Sequence, residues 1–320
     1  MEKEFIVFNS DVSLTPIREI DKKRLSAVNA QYIGKDCLTE EDFINYANDA
    51  DIIYNGGHVF ISKKVLKSLP KLKAIVRHGI GYNNIDVKAA KELGIIVSNC
   101  PGFCIEEVST HCIALLLSFL RGIPYSNNWV KGGNWFLGNS PQISLDSIFN
   151  EIVGLIGFGN IGKRIYEKLL PFKPKIYIYD PYITNESFNF ELTDLNKLLK
   201  ISKYIILACS STESNYHMID EEQFNYMRKD AVIVNVGRGQ LINEKLLIRY
   251  LEENKIGGAA LDVFEHEPIN MESPLLKLNN VILTPHTAGT SPKSSELVKE
   301  MIIDEIIRII RGEKPQNQVN

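Results

Sequence analysis

The chain has 320 residues, 44% of them hydrophobic and 23% charged, with a formal net charge of -3. This is a globular composition without the basic excess that nucleic acid or an anionic membrane would call for, and at roughly 150 residues per domain it predicts two domains. The five cysteines, Cys37, Cys100, Cys104, Cys112 and Cys209, follow no disulfide spacing, which together with the lack of a secretory leader points to a reducing cytoplasm.

The first strand is expected at Phe5 to Phe8, followed by helices at Glu19 to Val28 and Glu40 to Ala47. Asp51 to Tyr54 reads as a strand, then the glycine loop Asn55-Gly56-Gly57-His58-Val59 and a short helix containing Val65 and Leu66. Leu72 to Val76 is a further strand and runs into Arg77-His78-Gly79-Ile80-Gly81. A helix over Val87 to Leu93 and a strand over Ile95 to Val97 close a small βαβ domain. Ligands bind beyond strand ends in open α/β sheets, so the loop at His78 and Gly79 is a candidate for holding a small carboxylate on backbone N–H groups.

Asn99 to Gly102 is the expected crossing between domains. Cys100 and Cys104 have no second cysteine pair to complete a metal site, and none is expected. Ile105 to Leu120 is an apolar-rich helix, whose most apolar run is too short to span a bilayer. Arg121 to Ser144 is expected to be irregular. The aromatic loop Gly132-Gly133-Asn134-Trp135-Phe136 within it suits either self-association or internal packing.

The strongest local signal is Ile152 to Gly162, an apolar strand, a Gly-x-Gly-x-x-Gly turn and a helix start. Gly157 permits the turn, Gly159 lets a pyrophosphate approach, and Gly162 lets the helix pack on the strand. The helix N–H groups, beginning at Asn160 and Ile161, point at the anion. The next strand, Lys175 to Tyr179, ends in Asp180, whose carboxylate suits an adenosine ribose and repels a 2′-phosphate, favouring NAD over NADP.

The alternation continues with strands at Tyr204 to Ala208, Ala231 to Val236, Gly257 to Leu261 and Val281 to Leu283. Asp220 and Gln223 are spaced as a capping box, and Asn243 caps a further helix. Cys209 and Ser210, Val236-Gly237-Arg238, Asp262, and His286 with Ala288 and Gly289 all fall at or just past strand ends. A parallel sheet gathers them on one edge, where a coenzyme would meet them.

Arg238, set between two glycines, offers a planar fork for a carboxylate. His286 can carry a proton near neutral pH. A neighbouring carboxylate would hold its tautomer, and the residues leave Glu265, His266 and Glu267 open as its partner. A helix over Pro292 to Ile309 has a 3.6-period apolar face, and the tail from Gly312 to Asn320 is expected to fray.

The glycine turn, Val234-Asn235-Val236-Gly237-Arg238-Gly239, Gly258 to Pro268 and Thr284-Pro285-His286-Thr287-Ala288-Gly289 stand in the order and spacing of the NAD-dependent D-isomer-specific 2-hydroxyacid dehydrogenases, which the chain resembles over nearly its whole length. The resemblance implies an α/β protein of two Rossmann-like domains with parallel sheets. Residues 99–290 would be a coenzyme domain inserted into a substrate domain of residues 1–98 and 291–320. It implies Arg238 on the substrate carboxylate, Glu267 as partner of His286, and His286 as acid/base. His78 and Gly79 would add amides to the carboxylate grip. A homodimer acting on a small 2-oxo or 2-hydroxy acid such as hydroxypyruvate or glyoxylate is the family expectation.

The chain departs from the family pattern at several points. Thr110 replaces the usual acidic residue before His111, Ala208 to Thr212 lacks the usual His-x-Pro-Leu-Thr, and Asn83 stands where Asp is usual. Tyr54-Asn55-Gly56-Gly57 lacks the arginine of phosphoglycerate dehydrogenases, which weighs against that alternative. Phe103 to Ser109 resembles the C-terminal-binding corepressors, so an NAD-sensing scaffold without turnover is a second alternative, disfavoured by the retention of Arg238, Glu267 and His286. Oxidation of a substrate such as phosphite is a third.

Overall fold

The computed structural model describes residues 4–57, 59–135, 145–183 and 190–320. They divide into two units, one of Met1–Phe103 with Ser291–Asn320 and one of Cys104–Thr290. The first division falls beyond residue 98 because the next residues are tied to the first unit. The Asn99 N–H donates to Asn317 O, its side-chain amide to Ile80 O, and the Cys100 N–H to Gly79 O.

The first unit runs β1 (Phe5–Asn9), α1 (Glu19–Ser26), β2 (Ala30–Gly34), α2 (Glu40–Tyr46), β3 (Ile52–Asn55), α3 (Lys63–Lys67), β4 (Ala74–Arg77), α4 (Val87–Glu92) and β5 (Ile96–Ser98). The sheet is parallel throughout, in the order β2-β1-β3-β4-β5. Its strands alternate between two apolar layers, Phe8, Ile53, Ile75 and Val97 facing one and Val7, Ile52, Tyr54, Ala74 and Val76 the other. β2 was not anticipated. It is an edge strand with one fully buried residue, so its sequence lacks the continuous apolar run of the central strands.

The second unit opens with α5 (Ile105–Leu120) and α6 (Ile123–Lys131). It continues with β6 (Ile152–Ile156), α7 (Asn160–Leu169), β7 (Lys175–Tyr179), β8 (Glu191–Leu192), α8 (Leu195–Ile201), β9 (Tyr204–Leu207), α9 (Glu221–Tyr226), β10 (Val232–Asn235), α10 (Glu244–Glu252), β11 (Gly258–Leu261) and β12 (Val281–Leu283). The parallel seven-stranded sheet has the order β12-β11-β10-β9-β6-β7-β8. The chain therefore starts mid-sheet at β6, builds outward through β7, then reverses through β9, and the crevice between β6 and β9 is the switch point. The capping box of Asp220 and Gln223 forms, and the Asn243 side chain accepts the Leu246 N–H.

One expectation for this unit fails, and one segment not read from the sequence is ordered. Residues 123–131, read as irregular, form α6, which none of its own residues helps to bury. Pro124 stands in its first turn, and its apolar Ile123 and Val130 are exposed. The segment between β7 and β9 adds β8 and α8, the latter capped by the Asp194 carboxylate on the Lys197 N–H. Of the aromatic loop, Trp135 is exposed, while Phe136 lies outside the described residues.

The chain returns to the first unit as α11 (Pro292–Ile310), with Ser291 capping the Ser294 N–H and Val298, Ile302, Ile303 and Ile306 packed beneath the sheet. The tail after it does not fray. The Gln316 and Asn317 N–H groups donate to the buried Glu305 carboxylate, the Val319 N–H to Val97 O, and the Asn320 side-chain amide to Ile95 O. A polar tail finds order here because β5 is a sheet edge with unpaired backbone groups to satisfy.

Candidate active site

The glycine turn joins β6 to α7. Gly157 has φ +94, and a Cβ there would come within 2.7 Å of the Cys209 side chain, so glycine is required both by conformation and by the close approach of the β9 loop. A side chain at Gly162 would collide with Gly157 O, which lets α7 start tight against the turn. Gly159, the N-cap of α7, has open space on its Cβ side, and Gly159 and Asn160 are exposed while Ile161 is half-buried. The N-terminus of α7 is thus an uncluttered set of amides with the positive end of a helix dipole behind it. Asp180 stands beside it, accepting the Phe158 N–H at 2.7 Å and the Tyr182 N–H at 2.9 Å. These residues fit the pyrophosphate and ribose of a dinucleotide.

On the same sheet edge, β12 delivers His286. Its Nδ1 lies 2.6 Å from Glu267 Oε2. A carboxylate only accepts, so Nδ1 carries the proton and Nε2 is left for a reacting group. Burial raises the Glu267 carboxyl, but His286, the Phe264 N–H at 3.0 Å and Arg238 outweigh it and hold the group below its usual range.

The three acidic or basic candidates of this loop separate. Glu265 turns away, accepting from His217 Nε2 at 2.9 Å, the Tyr216 hydroxyl and the Glu244 N–H. His266 is exposed, and Glu267 alone of the three meets His286. An extended stretch would put Glu265 and Glu267 on one side, but residues 265–268 bend, and the bend parts the two carboxylates.

Arg238 sits in a backbone clamp. A Cβ at Gly237 would lie 2.6 Å from Cys209 O, and one at Gly239 would overlap the Phe264 carbonyl, so the β9 and β11 loops press on both glycines. The buried Asn235 completes the clamp, its side chain donating to Arg238 O at 2.9 Å and accepting the Gly237 N–H at 3.0 Å. Burial lowers the Arg238 pKa, with the Glu267 charge opposing it. Nη1 donates to Gly237 O at 2.7 Å, and among the described residues no other hydrogen bond engages the fork, which suits an oxyanion.

The remaining candidates are placed as follows. Ser210 is exposed and Cys209 half-buried at the switch point. The Val236 and Ala288 side chains are buried, and their N–H groups donate to Leu207 O and Asp262 Oδ2. Gly289 is half-buried near Cys104. Asp262, expected at the coenzyme, is only 1% exposed, and its carboxylate is engaged by the Thr284 hydroxyl, the Thr287 N–H and the Ala288 N–H. It braces the loop that carries His286. Its partners lie more than 20 residues away, so spacing offered no sign of them.

In the first unit, the His78 amide differs from expectation: its N–H is already donated to Asn55 O at 2.7 Å. Among the described residues no hydrogen bond engages the N–H groups of Gly79, Ile80 or Gly81, while the Gly79 and Ile80 carbonyls are anchored by Cys100 and Asn99. Gly79 has φ +130, a backbone conformation that favours glycine. The His78 ring stacks on Tyr54, with Nδ1 2.9 Å from the Tyr54 hydroxyl.

Burial, then Arg77 and Lys299, push the His78 imidazole down to about 4. The unfolded chain therefore binds a proton between pH 6.5 and 4 that the folded chain does not. The stabilisation from neutral His78 is complete above pH 6.5 and is lost as pH falls through 4. Urea titrations of His78→Phe should show a flatter rise of stability between pH 4 and 6.5 than the parent; an identical slope would contradict this assignment.

Residues 113–288 match the model of the D-isomer specific 2-hydroxyacid dehydrogenase NAD-binding domain. The chain is 36% identical over 313 residues to a glyoxylate reductase of Korarchaeum cryptofilum, covering 95% of this chain and 94% of that one. It is 38% identical over 287 residues to a D-3-phosphoglycerate dehydrogenase of Methanocaldococcus jannaschii, covering 88% of this chain and 54% of that one. Among solved structures it is similar to an NADPH-dependent glyoxylate/hydroxypyruvate reductase of Sinorhizobium meliloti in complex with NADP and malonate, with TM-score 0.88, 26% identity and coverage of 99% and 97%. A D-lactate dehydrogenase of Aquifex aeolicus complexed with NAD and lactic acid superposes with TM-score 0.85 and 25% identity over 96% of each chain.

Proposed function

Since the chain belongs to the D-isomer-specific 2-hydroxyacid dehydrogenases, we propose that it reduces a small 2-oxo acid such as glyoxylate or hydroxypyruvate to the D-2-hydroxy acid, with NADH as the preferred coenzyme. The observation that carries this reading is the His286–Glu267 pair beside the clamped Arg238 on one sheet edge. The α7 N-terminus would hold the pyrophosphate and Asp180 the adenosine ribose. When bound, the dinucleotide supplies the hydride.

The protein's own residues do the rest. Arg238 pairs its guanidinium with the substrate carboxylate and orients the 2-oxo group. His286, protonated, donates from Nε2 to the carbonyl oxygen as negative charge develops there. Glu267 holds the ring by Nδ1 and compensates its charge. The amides of Gly79 to Gly81 have the chemistry to hold an oxyanion in their own right.

Coenzyme choice rests on Asp180, a carboxylate that a 2′-phosphate would oppose, even though the Sinorhizobium meliloti relative is NADPH-dependent. The phosphoglycerate alternative is weaker, because the β3 loop lacks an arginine. A homodimer is supported by the apolar surface left open in the second unit at Ile123, Val130, Trp135 and Phe149. The five unpaired thiols suit a cytoplasmic setting.

The test is oxidation of NADH and NADPH by the purified protein with glyoxylate, pyruvate, hydroxypyruvate, 2-oxobutyrate, a branched 2-oxo acid and 3-phosphohydroxypyruvate. The expected result is turnover of glyoxylate or hydroxypyruvate, faster with NADH. Turnover confined to 3-phosphohydroxypyruvate, or tight NADH binding with none of these reduced, would overturn the proposal.

A further inference from the structure

His111 stands in the middle of α5, remote in sequence from Asp262, Thr284 and His286. Its Nε2 lies 3.0 Å from the Thr284 hydroxyl and 3.4 Å from Asp262 Oδ1. The Thr284 hydroxyl is itself 2.6 Å from Asp262 Oδ1. A hydroxyl has one proton, and the carboxylate can only accept it. The Thr284 oxygen must then accept from His111, so Nε2 carries a proton and the chain runs one way, from His111 Nε2–H to the Thr284 hydroxyl to the Asp262 carboxylate.

That carboxylate is 1% exposed and grips the Thr287 and Ala288 N–H groups, both at 2.9 Å. The Asp262 main-chain carbonyl takes the His286 N–H, also at 2.9 Å. The residue so gripped is unusual: His286 has φ +53, a conformation that a residue with a Cβ holds only when its surroundings over-determine it. The direction of the His286 imidazole follows from that backbone. Without His111 the Thr284 hydroxyl loses the donor that fixes its rotation onto Asp262, and a loop held by a less fixed carboxylate would relax.

We propose that His111 is a positioning residue for the His286 acid/base, acting through Thr284 and Asp262 rather than by touching coenzyme or substrate. The assignment rests on the reading of His286 given above. It also accounts for the histidine of an apolar-rich helix, a feature that composition and periodicity left unexplained.

The experiment compares His111→Leu, His111→Gln and Thr284→Val in the full chain, using the 2-oxo acid turned over fastest by the parent. His111→Leu should lower kcat about tenfold or more and raise the primary isotope effect with 4-deuterated NADH, while the Kd for NADH by fluorescence stays within threefold. His111→Gln, whose side-chain amide still donates, should recover kcat to within threefold of the parent. Thr284→Val, nearly equal in volume, should show the same loss, and the pair His111→Leu with Thr284→Val should lose no more than either alone. If His111→Leu does not fold, Thr284→Val carries the test by itself.

A kcat for His111→Leu within twofold of the parent, a loss that Gln does not restore, or a loss matched by equally weakened NADH binding would overturn the assignment. Normal turnover by His286→Ala would instead remove the reading of the acid/base on which it rests. An inactive His286→Ala beside an unaffected His111→Leu would overturn only the role of His111.

Discussion

His286→Ala will lower kcat for 2-oxo acid reduction by roughly 100-fold or more, about 2.7 kcal/mol of transition-state stabilisation, with NADH affinity nearly unchanged. The reasoning begins with charge. Hydride arrival at the carbonyl carbon leaves an alkoxide, and without a donor at Nε2 the proton must come from water. Nothing in the glycine turn or at Asp180 depends on the imidazole, so coenzyme binding should persist. Glu267→Gln should fall between the variant and the parent, because an amide still offers an oxygen to Nδ1 but no longer offers a charge. Stopped-flow reduction at saturating NADH separates the chemical step from binding. Turnover by His286→Ala within threefold of the parent would mean that another group supplies the proton.

Arg238→Gln should lower kcat/KM by about 30-fold or more, since removing one partner of a hydrogen-bonded charge pair costs about 2–5 kcal/mol. Most of the loss should appear in KM for the oxo acid if the fork serves binding alone, and in both parameters if it also orients the carbonyl. Arg238→Lys keeps the charge but not the bidentate geometry, and should recover only part of the loss. The clamp makes this a clean substitution. Asn235 and the two flanking glycines hold the backbone by main-chain contacts that the side chain does not supply. A melting temperature near that of the parent would show the fold intact, and an unchanged kcat/KM would rule out carboxylate recognition by Arg238.

Beyond these roles, the residues differ in how far the sequence alone could reveal them. The turn from Gly157 to Gly162 was legible because its requirements are local. A tight turn, a close approach and a helix start each constrain a residue within one short window: Gly157 and Gly162 are required sterically, and open space at Gly159 leaves the helix amides uncovered. Asp180 was legible for the same reason, as the end of the adjoining strand. Arg238 stood out as a charge between glycines, although the cause of those glycines, backbone pressing in from the β9 and β11 loops, lies outside the window.

Other features depended on partners far along the chain. The choice among Glu265, His266 and Glu267 turned on His217 on one side and His286 on the other, and no spacing rule says which side each faces. The polar tail reads as disordered until Glu305 and the β5 edge are brought beside it. α6 buries none of its residues, so nothing in the core required a helix there. The bond from His111 to Thr284 spans 173 residues and exists only because α5 lies against the strands that end in Asp262 and Thr284. Sequence by itself therefore determined the parallel α/β class, the dinucleotide turn and the identity of the groups able to do the chemistry, since these follow from local spacing and residue type. Only the tertiary structure decided which carboxylate meets which histidine and which amides remain open, because hydrogen-bond partners are chosen by sheet order and register.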